Sequence, residues 1–120
     1  MALAVTELLT ELQDAGLDRF DSVAVNGVVG DGTTTPSESD TDLVNQTHLK
    51  ALTAGSRTTS STIKNLFLDG TENNGNTMNE VGVEKSDGTL LGRGKVTSQA
   101  KTSSVEAFYG IKLALEVVNS

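Results

Sequence analysis

Val105-Glu-Ala-Phe-Tyr-Gly-Ile-Lys-Leu-Ala-Leu-Glu-Val117 is the stretch that decides the fold class. Its odd positions, Val105, Ala107, Tyr109, Ile111, Leu113, Leu115 and Val117, are all apolar, and its even positions include Glu106, Gly110, Lys112 and Glu116. A period of two belongs to a β-strand, whose side chains point alternately to a core and to water. Wound as a helix, the same residues would scatter Glu106, Lys112 and Glu116 around the cylinder. Phe108 and Ala114 fall on the wet face and soften the alternation without changing its period. This strand is expected to be the central stabilising element of the fold.

Upstream, residues 77–85 and 89–97 read as two short strands around Ser86-Asp87-Gly88, where Asp-Gly is a strong hairpin signal. Residues 59–68, with Ile63, Leu66, Phe67 and Leu68, predict another strand, and the polar run Asp69-Gly-Thr-Glu-Asn-Asn-Gly-Asn76 predicts a hairpin-type return. Residues 48–57 show no assignable period. From Gly27 to Asp42 the chain is mostly Gly, Asp, Thr and Ser with Pro36, and Val28 and Val29 are its only sizeable apolar residues, so a surface loop is expected. Residues 21–27 alternate around Val23 and Val25 and predict a strand.

Near the amino end the period changes to 3.6. Val5, Leu8, Leu9 and Leu12 recur at three- and four-residue intervals, and Gly16 stands where helices commonly end. The expectation is one domain over residues 1–120: a short amphipathic helix over 1–16 and a mainly β, β-sandwich-like domain over 21–118.

Composition narrows the function classes. With 120 residues the chain has room for one core and no second domain. It contains no cysteine, so no disulfide and no zinc–thiolate site can be built. Sixteen acidic residues against nine basic give a net charge of −7 without a basic stripe, which makes the electrostatic part of nucleic-acid binding repulsive. No run approaches the roughly 20 apolar residues of a membrane span, and Glu7 and Glu11 interrupt the opening segment where an export signal needs an unbroken apolar centre. No nucleic-acid or membrane partner is expected. Sixteen Thr and eleven Ser with twelve Gly favour short strands and polar turns, and the absence of Trp makes a large aromatic pocket hard to assemble.

A search for chemistry yields little. His48 is the only histidine and stands in a polar stretch without an orienting partner, as a surface histidine would. No serine lies in a G-x-S-x-G elbow. Gly27-Val-Val-Gly30-Asp-Gly32 lacks the Lys-Ser/Thr ending of a phosphate loop and reads as a turn. Residues 69–80 have the length of a calcium loop, yet Gly75 comes one place late and Thr71 replaces a carboxylate, so a solvated loop is the better reading. Asp31, Asp40 and Asp42 are a further cation candidate, and loop carboxylates usually just face water. Asn45-Gln46-Thr47 fits the glycosylation acceptor pattern, a weak signal in a Thr-rich chain. The expectation is therefore no catalytic residue, no cofactor and no bound metal.

Taken in order, these segments form a set. A helix ending in Ala15-Gly16, a strand reaching Val25-Asn-Gly27, the loop Gly30-Asp-Gly-Thr-Thr-Thr-Pro36 and the step Asp40-Thr41-Asp42-Leu43 are followed by Asn79-Glu80-Val81-Gly82-Val83, Asp87-Gly88-Thr89-Leu90-Leu91 and Lys101-Thr102. The ordered set resembles the amino-terminal pattern of tailed-phage virion proteins of the tail-fibre and tail-collar type. Val83 stands where that family more often has Leu followed by an aromatic, and Asn26 replaces a more usual Gly. The resemblance implies a non-enzymatic structural protein of the virion, an oligomer that contacts copies of itself and other virion proteins on head, neck or tail, as an adaptor or a surface decoration. A carbohydrate- or receptor-binding β-sandwich module is the alternative. Gly82 would let a neighbouring segment cross its strand closely.

Overall fold

The computed structural model describes residues 6–115, with side chains from residue 10 onward. Helix α1, Thr6–Val23, is followed by seven strands: β1 Asn26–Gly30, β2 Gln46–Ala51, β3 Thr53–Arg57, β4 Ser61–Leu68, β5 Thr77–Glu84, β6 Leu90–Ala100 and β7 Ala107–Ala114. They form two antiparallel sheets, one of order β2-β1-β5-β6 and one of order β3-β4-β7. The fold is mainly β with one amino-terminal helix, as the sequence predicts.

The helix does not end at Gly16. Its apolar period continues through Leu17, Phe20 and Ala24, and Leu17 is fully buried. Gly16 marks a crossing, not a stop: a Cβ there would stand 2.8 Å from Leu115 Cδ1. Beside it, Gln13 Nε2 donates to the Leu115 carbonyl at 3.0 Å. The strand expected over residues 21–27 is therefore the last turn of α1 followed by the start of β1. Arg57 of β3 reaches Asp18 and Asp21 of the helix, each at 2.9 Å, and ties α1 to the three-stranded sheet. Of the stripe Val5, Leu8, Leu9 and Leu12, the first three lie outside the described side chains, and Leu12 is 58% exposed.

Residues 48–57, which show no assignable period, fall in two strands, β2 and β3, that belong to different sheets. The chain passes between them at Leu52, whose N–H donates to the Val25 carbonyl at 2.9 Å. The run 69–76 is likewise a crossing between sheets and not a hairpin return, since β4 and β5 lie in different sheets. It lies beside a third crossing, from β6 to β7: Gly75 N–H donates to the Lys101 carbonyl and Lys101 N–H to the Asn76 carbonyl, both at 2.9 Å. The β5–β6 hairpin forms as expected, with Gly88 at φ +88°, a conformation glycine adopts without penalty.

Between the sheets lies a core of Val29, Leu66, Leu68, Met78, Val81 and Ala107. Each fully buried Leu or Val contributes about 1.5–3 kcal/mol relative to an exposed side chain. Val28 points to the other face of its sheet, which is covered by the loop between β1 and β2. The expected surface loop over 27–42 thus begins only after Gly30, because Gly27 to Gly30 are a buried central strand.

Candidate functional site: a clasped loop layer and an open trough

The loop after β1 carries the polar residues singled out in the sequence, and one buried carboxylate fixes it. Glu80, on β5, has no solvent exposure. Its Oε2 accepts from the backbone N–H groups of Gly32 at 2.8 Å and Asn45 at 3.0 Å, and its Oε1 from Val44 N–H at 2.9 Å. Arg93, on the neighbouring strand β6, donates from Nη1 to the same Oε1 at 3.2 Å. The guanidinium also reaches Asp40 Oδ2 at 2.7 Å and the Thr34 carbonyl at 3.1 Å. Both ends of the loop and its middle are thus held by two charged side chains from adjacent strands.

Of the Gly27–Gly32 run, which reads as a turn and not as a phosphate loop, the Gly32 N–H meets the carboxylate of Glu80. Close approach requires glycine there: a Cβ on Gly32 would stand 2.2 Å from the Val44 Cβ and 2.4 Å from Glu80 Oε2. Beneath the loop, Leu43 lies over Gly82, where an added Cβ would be 3.0 Å from Leu43 Cδ2. The close crossing expected at Gly82 is made by this chain's own loop.

The other acidic groups have separate partners. Asp40 lies below the usual carboxylate range because Ser37 N–H and then Arg93 donate to it. Asp31 accepts from the Asn45 side chain at 2.7 Å. Asp69 caps its own loop through the Thr71 hydroxyl at 2.6 Å and N–H at 2.8 Å, which lowers its pKa. Glu72 is lowered by Lys50, then by Asp69 N–H, and His48 Nε2 stands 3.4 Å from it. The ends of the supposed calcium loop, Asp69 and Glu80, thus serve different partners. Among the described residues no group of three or more His, Cys, Asp or Glu gathers as metal ligands. Glu84 differs from the rest: it is 5% exposed, and burial followed by the nearby Asp42 raises its pKa.

Lys101 plays for the sheet crossings the part that Glu80 plays for the loop. It is buried, and its ammonium donates to Asn74 Oδ1 at 3.0 Å and the Thr102 carbonyl at 3.1 Å.

On the opposite side of β5 and β6 the sheets part. The edge strands β6 and β7 enclose an open trough of about 390 Å³. Its β6 wall carries Gly92 and Gly94, the direct partners of Val83 and Val81, and its β7 wall carries Tyr109, Ile111 and Leu113. On the outer face of the three-stranded sheet, Phe67 and Phe108 are direct cross-strand partners, and Phe108 is 62% exposed.

A helix leading into two antiparallel sheets, with charged side chains committed to holding loops, defines a small structural β domain. More particularly, the chain belongs to the family of the phage tail-collar fibre protein, N-terminal, which it matches over residues 9–118. No curated protein matches it. It is accordingly a virion component and a structural protein of the phage tail.

Sequence reasoning singled out the segments that meet at Glu80 but assigned no role to Glu80 or Arg93. The available signal was a carboxylate in a strand that also carries Met78, Val81 and Val83, since charged residues are almost never fully buried unless paired.

Proposed function

We propose that this chain works by assembly, as an oligomeric adaptor or surface decoration contacting copies of itself and other virion proteins, and that it performs no catalysis. The observation that carries this reading is the commitment of Glu80, Arg93 and Asp40 to one another and to loop backbone, which holds a surface layer in one shape. Groups bound in this way fix geometry and do not await a substrate. The net charge of −7 opposes nucleic-acid binding, and among the described residues no helix is long and apolar enough to cross a membrane.

Sedimentation equilibrium over a concentration series tests the assembly. The expected mass rises above the 12.5 kDa of the chain. A monomer at every concentration in particle-like salt would remove the reading. His48→Ala is expected to leave particle formation intact, and its loss from that change alone would assign His48 a role this proposal denies.

The carbohydrate- or receptor-binding alternative draws on one observation, the exposed Phe67–Phe108 pair with the Lys50 ammonium 5.5 Å from the Phe67 ring centroid. Glycan binding abolished by Phe108→Ala would support it. Against it, Tyr109, the only Tyr or Trp in the chain, lines the inter-sheet trough instead of the outer surface.

A further inference from the structure

Glu84 is the buried acid that the clasp leaves over. Strand β5 alternates, so Glu80, Gly82 and Glu84 share the face covered by the loop between β1 and β2. Glu80 receives four donors there, whereas no side-chain hydrogen bond and no ion pair reaches Glu84 among the described residues, although it is 5% exposed. A carboxylate at that depth without a partner is costly, and such groups are rarely left so.

Two further oxygen donors stand around it. Asn26 of β1 is its direct cross-strand partner, which puts the two side chains on the same face, and the Asn26 amide makes no hydrogen bond among the described residues. From the loop comes Asp42. Its neighbour Leu43 packs over Gly82, where an added Cβ would be 3.0 Å from Leu43 Cδ2, and Gly82 is the next residue along the face from Glu84. On the other flank Leu90 pairs with Glu84 and also comes close to Gly82, its Cδ1 3.1 Å from an added Cβ. Of the three loop aspartates, Asp31 is engaged by Asn45, and Asp40 by Ser37 and Arg93. Asp42 is exposed and in no ion pair, and after burial it is what raises the Glu84 pKa. The result is two carboxyls and an amide, walled by Leu43 and Leu90, with no Lys or Arg paired to them.

We propose that Glu84, Asp42 and the Asn26 amide oxygen bind a calcium ion. All three donors are hard oxygens, and calcium accepts about six to eight of them in a flexible arrangement, so water completes the shell on the exposed side of Asp42. The ion's two charges balance the two carboxylates. No imidazole or thiolate stands in the set to select a softer metal. Bound there, calcium joins the loop to β5 at a second point, beyond the clasp at Glu80. The site does not depend on the assembly reading.

Thermal unfolding of the full chain tests it. For a weak site of about 1 mM affinity, the melting temperature in about 10 mM calcium chloride is expected to exceed that in EGTA by roughly 4–8 °C. Excess EGTA reverses the rise, and sodium chloride at matched ionic strength does not produce it. Glu84→Gln, more stable than the parent in EGTA, gains nothing from calcium, so its lead shrinks or reverses when the ion is added. Asp42→Asn, at an exposed position that leaves the fold intact, also loses the response. Glu106→Gln, which removes an exposed acid just before β7, keeps it. Calorimetric titration of the parent counts one ion per chain.

Absence of any calcium response in the parent overturns the site. So does a response that survives in Glu84→Gln or Asp42→Asn, that Glu106→Gln also loses, or that sodium chloride reproduces, since each would reduce the effect to general screening of a chain of net charge −7.

Discussion

At the scale of single residues, Glu80 is the position where a small change has the largest consequence. Three backbone N–H groups and a guanidinium converge on its carboxylate. A buried ion pair contributes little compared with well-packed apolar residues, because desolvation offsets the attraction. Breaking this one leaves Arg93 with Asp40 as its only anion and three backbone N–H groups without their acceptor, at a cost of about 3–5 kcal/mol. Glu80→Ala is therefore expected to destabilise the isolated chain by about that amount in chemical denaturation. Glu80→Ala with Arg93→Ala should cost clearly less than the sum of the two single changes, because one orphaned partner is removed with the other. Strict additivity would mean that the two side chains act independently and that the clasp is not a unit. A carboxylate among Met78, Val81 and Val83 hints that Glu80 is buried, but its partners cannot be read from the sequence, because Gly32 and Glu80 are 48 residues apart until folding brings them together.

At the scale of elements, what could be read depended on whether the signal was local. The Asp87-Gly88 turn and the alternation in β7 carry their own chemistry, so the hairpin and the inward face of Ala107, Tyr109, Ile111 and Leu113 follow directly from the residues. Gly16 misled because glycine also serves where another segment crosses closely, and Leu115 lies too far along the chain to be anticipated. A polar run such as 69–76 marks a change of direction but not which sheet receives the next strand. The position of β7 has the same origin: it is an edge strand and not the centre of its sheet. Leu113 is only half-buried, whereas Leu66 on the middle strand β4 is fully buried. Leu66→Ala should cost about 2–5 kcal/mol, and Leu113→Ala less than half of that, since much of its surface already faces the open trough. Thermal unfolding of the two variants compares them directly. Equal losses would require the trough to be closed in the isolated chain.

At the scale of the whole molecule, acid stability follows from the set of perturbed carboxyls. Asp21, Asp40, Asp69, Glu72 and Asp87 all lie below their unfolded values of 3.8 or 4.5, so the stability they supply is present at neutral pH and is lost as pH falls through their folded values. Glu84 has the opposite sign: its pKa is raised above 4.5, so its contribution is fully present below that pH and is lost as pH rises through its folded value. Glu84→Gln is expected to raise the melting temperature at pH 7, by an amount corresponding to about 1 kcal/mol, and the gain should disappear near pH 4. A gain that persisted in acid would mean that the substitution acts through packing and not through charge. The clasp also sets a timetable. Arg93 and Glu80 are synthesised well after the loop they secure, and at about 5–20 residues per second the ribosome needs seconds to cover the interval. During that wait the loop between β1 and β2 has no fixed form, and the trough has no β7 wall. A nascent chain therefore presents its amino-terminal helix and first strand well before its surface is set, and the loop layer takes its shape only once β6 has left the ribosome.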